Sequence, residues 1–180
     1  MSELTLRSKE HVASRSPAAP QAEANALADD PALRQTIELL FFAYRDFTGD
    51  ADALLLRWGF GRAHHRVIYF IGRHPGISVG ELLAILRITK QSLARVLGQL
   101  MREGFVVQRV DHADRRRRRL YLTAEAEALE RTLTDRQAAR LAAASARVGD
   151  VALDGFRAML RAMIDGEDGP LPMPHGMTDR

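Results

Sequence analysis

The chain has 180 residues, a formal net charge of +3 and 46% hydrophobic residues, enough for one domain of ordinary size with a real core. It contains no cysteine, which excludes disulfides, thiolate metal sites, a cysteine nucleophile and thiol-based redox sensing. No apolar run approaches the ~20 residues of a membrane span, and residues 1–30 lack a signal-peptide stretch, so a soluble cytoplasmic protein is expected.

Residues 1–30 are rich in Ala, Ser and charge and hold no aromatic residue. They are expected to form a disordered arm, and residues 166–180, with GPLPMPHG, a disordered tail. The folded body is placed at 31–165. Its first helix is expected over about Pro31–Phe47, where Leu33, Ile37, Leu40, Phe41 and Tyr44 recur at helical spacing. Asp30 is its candidate N-cap and Pro31 suits its first turn. Leu39 and Phe42 make this helix apolar around much of its circumference, which points to a partner subunit as its cover.

Thr48–Gly61 reads as a connector containing the only tryptophan, Trp58, and a short helix around Ala53–Arg57. A second helix over about Arg62–Arg73 stops at His74-Pro75-Gly76. Ser78-Val79-Gly80-Glu81 has the capping-box pattern and opens a third helix through Leu86. After a turn at Arg87-Ile88, Thr89 caps a fourth helix ending near Gly104. One face of that helix carries Leu93, Val96, Leu97, Leu100 and Met101; the other offers Lys90, Gln91, Ser92, Arg95 and Gln99 outward. The period then falls to two, with Phe105, Val107 and Arg109 alternating on one strand and Leu120 and Leu122 on the next. Thr123 opens a fifth helix through Ala146, its cap lacking an acid at Ala126, and a sixth spans about Asp150–Asp165. The fold class is mainly α with a small β-wing.

From Arg87 to Arg119 there are ten basic and three acidic residues, a segment charge of +7; with the chain at +3, the remainder carries −4. A basic segment in an otherwise acidic chain is the electrostatic footprint of phosphate binding. Gln91 suits bidentate pairing with adenine and Arg95 with guanine, while Thr89 and the first-turn N–H groups suit a phosphate. Taken alone that face is equally compatible with a merely solvated helix, and its position right after the turn shifts the reading towards DNA. Arg115, Arg116, Arg117, Arg118 and Arg119 follow one another near the hairpin tip, where repulsion among like charges favours a polyanionic partner over open solvent. A narrow minor groove attracts an inserted arginine, and Asp114 stands two residues from Arg116, within reach of an orienting ion pair. His112 stands beside the run and suits phosphate.

Adjacent histidines on a helix point about 100° apart, so His64-His65 is a poor chelating pair and a helix-interface role is expected instead. There is no glycine-rich phosphate loop, nucleophile elbow or carboxylate pair on a recognisable scaffold, so neither an enzyme nor a cofactor is expected.

GRAHHRVIYFIGRHPGISVGELLAILRITKQSLARVLGQLMREGFVVQRV, followed by DHADRRRRRLYLT, resembles the MarR family of bacterial winged-helix regulators. The specific elements are TKQSLARVLGQLMREG and D-x-x-D-x-R running into LT, and the similarity spans about Gly61–Leu129. The resemblance implies a winged helix-turn-helix over about 62–123 with dimerisation helices over about 31–47 and 123–165. It implies a homodimer binding pseudo-palindromic double-stranded DNA, often as a repressor relieved by a small anionic or phenolic effector. By position, Thr89, Lys90, Gln91, Ser92 and Arg95 fall on the recognition helix and Asp114, Arg115, Arg116, Arg117 and Arg118 on the wing. Phe41, Tyr44, Arg45, His65 and Tyr69 fall where an effector cleft is implied. Two departures matter: the extra arginines raise non-specific DNA affinity, and the lack of cysteine removes thiol-based peroxide sensing. The alternatives are a winged helix used for protein–protein contact and an architectural DNA binder without sequence preference.

Overall fold

The computed structural model describes residues 29–111 and 118–164. Expectations about the N-terminal arm, the C-terminal tail and the wing tip therefore lie outside the described residues. Contacts divide the chain into two units, Met1–Tyr44 and Arg45–Arg180.

The first unit contributes the opening turns of helix α1 (Pro31–Leu55). Asp30 caps it as expected, its Oδ1 accepting from the Ala32 N–H at 2.8 Å. Leu33, Ile37, Leu39, Leu40, Phe41, Phe42 and Tyr44 are all exposed.

In the second unit α1 continues through the residues expected to form a connector. Thr48, Ala51 and Leu55 form a buried stripe at helical spacing, and Thr48 Oγ1 donates to the Arg45 carbonyl at 3.3 Å. Burying that stripe outweighs the ~1 kcal/mol that Gly49 costs inside a helix. The separate short helix is absorbed into α1, which ends in a 3-10 turn, Leu56–Trp58, closed by Gly59 at φ 65°.

Helix α2 (Arg62–Arg73) follows, then strand β1 (Ile77–Ser78), helix α3 (Val79–Leu86) and helix α4 (Lys90–Arg102). Strands β2 (Val106–Val110) and β3 (Arg118–Leu122) lead into helix α5 (Ala124–Val148) and helix α6 (Asp150–Ala162). The sheet is antiparallel in the order β1-β3-β2, with Ile77 opposite Leu120 and Arg109 opposite Arg119. Two residues carry no periodicity, so β1 was not foreseeable from pattern. It forms because Gly76, at φ 86°, turns the chain so that its N–H reaches the Leu120 carbonyl at 2.8 Å.

The core joins Val67, Ile68 and Ile71 of α2 to Leu82 and Leu86 of α3 and to Leu93, Val96, Leu97 and Leu100 of α4. Leu120 closes it from the sheet; Ala126, Leu129 and Leu133 close it from the first half of α5. Each such large side chain contributes roughly 1.5–3 kcal/mol by leaving water. Trp58, Phe60 and Phe105 form an edge-to-face cluster, Phe105 meeting the other two rings at 5.4 and 5.1 Å. Phe105 lies just before β2 rather than within its alternation: Gly104, at φ 76°, folds it back so that its N–H bonds the Leu100 carbonyl at 2.8 Å. Val106 is then the buried residue of β2, while Val107 and Arg109 face outward.

Candidate nucleic-acid interface

The turn between α3 and α4 is built by one left-handed backbone residue and two side-chain hydrogen bonds. Arg87 ends α3 in the left-handed region (φ 49°, ψ 45°), and the Arg66 guanidinium donates to the Leu86 carbonyl at 3.3 Å. Thr89 then starts α4, its Oγ1 accepting from the Ser92 N–H at 3.1 Å. The same hydroxyl donates to Ser92 Oγ at 2.9 Å, leaving the Ser92 proton directed elsewhere. Thr89 therefore works as a cap first, and the groups at this end suited to a phosphate are the unpaired first-turn N–H groups. Leu93, Val96, Leu97 and Leu100 are buried; Thr89, Lys90, Gln91, Ser92 and Arg95 are all exposed on the other side.

Gln99 departs from expectation. It is half-buried, and its Oε1 pairs with His64 Nε2 at 2.9 Å. His64 Nδ1 accepts from the Gly61 N–H at 3.1 Å, so the ring proton sits on Nε2 and donates to Gln99. The imidazole stacks on Phe60 at 4.9 Å. One neutral histidine thus caps α2, ties it to α4 and covers an aromatic ring. Burial pushes its pKa below the ordinary value, and nearby Arg95 adds to that, against the Gln99 and Gly61 hydrogen bonds.

His65 is 8% exposed, and burial lowers its pKa against the opposing charges of Asp52 and Glu130. Asp52 pairs through Oδ2 with Arg62 at 2.8 Å, while its buried Oδ1 has no hydrogen-bond partner among the described residues. Among those residues no group of three or more His, Asp or Glu could hold a metal ion. Of the other candidate effector residues, Phe41, Tyr44 and Arg45 are exposed, and Tyr69 is half-buried against Phe70, with the ring centroids 5.3 Å apart. A groove of about 620 Å³ is lined by Asp50, Arg136, Arg140 and Arg147 with Ala139, Ala143 and Ala144. None of the five candidates lines it.

At the wing, Asp114, Arg115, Arg116 and Arg117, and His112 with them, lie outside the described residues. Arg118 and Arg119 belong to β3 rather than to a tip, and strand alternation sends them to opposite faces. Arg118 is exposed, whereas Arg119 turns back, its Nε donating to Asp111 Oδ2 at 2.8 Å and its Nη1 to the Gly76 carbonyl at 3.1 Å. Arg109, directly opposite, places its guanidinium 4.8 Å from the Tyr121 ring centroid. The Asp111–Arg119 and His64–Gln99 pairs went unseen in the sequence. Only the period of two, which separates Arg118 from Arg119, hinted at the first.

Two helices joined by a left-handed turn, the second presenting a polar face and followed by an antiparallel hairpin, define a winged helix-turn-helix protein. The chain belongs to the MarR family of helix-turn-helix transcriptional regulators: residues 58–117 match the MarR family model. It is 47% identical over 147 residues to the HTH-type transcriptional regulator PetP of Rhodobacter capsulatus, covering 82% of this chain and 89% of that one. In fold it matches MepR in the S. aureus MepR–DNA complex with a TM-score of 0.58, at 17% identity over 70% of this chain and 93% of the other. NadR in complex with 4-hydroxyphenylacetate matches with the same TM-score, at 22% identity over 69% of this chain and 88% of the other.

Proposed function

We propose that this regulator binds a pseudo-palindromic operator as a homodimer and acts as a repressor released by a small anionic or phenolic effector. The observation that carries the reading is the division of α4. Its apolar side is locked into the core, while Lys90, Gln91, Ser92 and Arg95 stand exposed beyond the Thr89 cap. In that role Arg95 pairs with guanine O6 and N7, Gln91 with adenine, and Lys90 and the first-turn N–H groups with phosphates. Arg115, Arg116, Arg117 and Arg118 supply wing contacts, with Asp114 orienting Arg116 in the minor groove. The exposed apolar residues of α1 and α6 support a second copy of the chain as their cover, making 31–47 and 123–165 dimerisation segments around a winged helix at 62–123. The DNA-bound MepR and ligand-bound NadR structures support the operator and the effector. Phe41, Tyr44, Arg45, His65 and Tyr69 are the effector residues in this reading.

Selection from a random duplex library at near-physiological salt tests it. Recovery of a pseudo-palindrome is the expected result, with affinity falling roughly 10³-fold or more between 50 and 200 mM salt. Salt-dependent binding that enriches no sequence would instead establish an architectural binder. No binding at all would leave a protein-contact module.

A further inference from the structure

We propose that Arg119 is not a DNA contact but the positioning residue that sets the wing against the helix-turn-helix, acting through Asp111. The inference rests on the DNA-binding reading above and adds a division of labour within the arginine run. Arg119 sits on the central strand of the sheet, opposite Ser78 on one side and Arg109 on the other. Its guanidinium joins three separate segments. Nε reaches Asp111 at the outer end of β2 at 2.8 Å, and Nη1 reaches the Gly76 carbonyl in the turn before β1 at 3.1 Å. Glu81 Oε2, in the first turn of α3, lies 3.7 Å from the same nitrogen. Glu81 is itself fixed, since that oxygen accepts the Ser78 N–H at 2.7 Å in the capping box.

The pairing is partly sheltered: the Asp111 side chain is 15% exposed and that of Arg119 29%. A planar fork holding a carboxylate and a carbonyl at once fixes orientation as well as distance. A two-stranded ribbon alone is marginal in water, so the direction in which it leaves the fold depends on its base. Asp111 follows β2 and Arg119 lies near the start of β3, so the clamp fixes the outer ends of both strands and with them the direction of the ribbon. Arg109, which would repel Arg119 across the strands, is diverted onto the Tyr121 ring.

Asp111→Asn supplies a test of sign. Removing a negative charge beside a polyanion strengthens binding by electrostatics alone, whereas loss of a clamp weakens it. The probe is a labelled mixed-sequence duplex of about 30 base pairs at low salt, where phosphate contacts dominate. Asp111→Asn and Arg119→Met are each expected to weaken binding about tenfold, with the double variant no weaker than Arg119→Met because the two act as one unit. Amide exchange on the free proteins reads the clamp without DNA. Faster exchange across Val106–Val110 and Arg118–Leu122 is expected in Arg119→Met, with α2 and α4 unchanged. Unchanged or tighter binding by Asp111→Asn overturns the proposal, as does unchanged strand exchange or a rise shared equally by α2 and α4. Failure of the wild-type protein to bind any duplex would sink the DNA reading instead, and the exchange result alone would then decide the clamp.

Discussion

At the scale of single residues, the two histidines of α2 couple stability to pH. Both are held neutral, with pKa values lowered from 6.5 chiefly by burial. As pH falls through the ordinary histidine range, the unfolded chain binds protons before the folded one does, so stability drops. Their contribution is complete above pH ~6.5 and is lost towards the lowered folded values. Urea unfolding of the wild-type protein is expected to show a clear loss of stability from about pH 7.5 to about pH 5, reduced in His64→Gln. A flat profile across that window would contradict the geometry at His64, where protonating Nδ1 must break the Gly61 hydrogen bond. The same scale shows what a residue type leaves open. Gln99 and Gln91 lie on one helix and are chemically identical, yet one is tied to an imidazole and the other stands exposed.

At the scale of elements, local signals were strong wherever a cap or a breaker marks the chain. Ser78, Thr89 and Thr123 all cap the helices their positions predict, and the His74-Pro75-Gly76 stop ends α2. Thr123 does more than its incomplete capping box suggests: Oγ1 accepts from the Ala126 N–H at 3.4 Å and donates to the Gly104 carbonyl at 2.8 Å. It thereby fastens the start of α5 to the turn that launches β2. Thr123→Ala is expected to lower unfolding free energy by about 1 kcal/mol, measured by denaturant titration, with Thr123→Ser close to wild type. Where no breaker exists, element limits were set by packing. The first helix was expected to end near Phe47, but the buried stripe of Thr48, Ala51 and Leu55 carries α1 onward through Gly49. The two-residue β1 is likewise a product of its neighbour, formed by pairing with β3.

At the scale of the whole molecule, the exposed apolar residues of α1 and α6 favour a second copy of the chain as their cover. Helix α6 buries none of its residues, although Leu153, Phe156, Met159 and Leu160 recur along it at helical spacing. Phe41, on α1, is 69% exposed. The wild-type protein is expected to sediment as a dimer at micromolar concentration, and Leu160→Asp as a monomer with its helix content retained. A monomeric wild type would remove the dimer, and with it the two-half-site operator.

The sequence by itself determined the helices that begin with a cap, the hairpin that follows them and the polar face of α4. Each of those follows from local rules of period, capping and turn chemistry that a chain carries before it folds. Only the tertiary structure decided that Arg119 turns inward to Asp111 and Gly76, that Gln99 belongs to His64, and that α1 runs on to Leu55. Those outcomes depend on groups brought together from 8 to 43 positions apart, or on burial against other elements, and no local rule encodes a partner that distant.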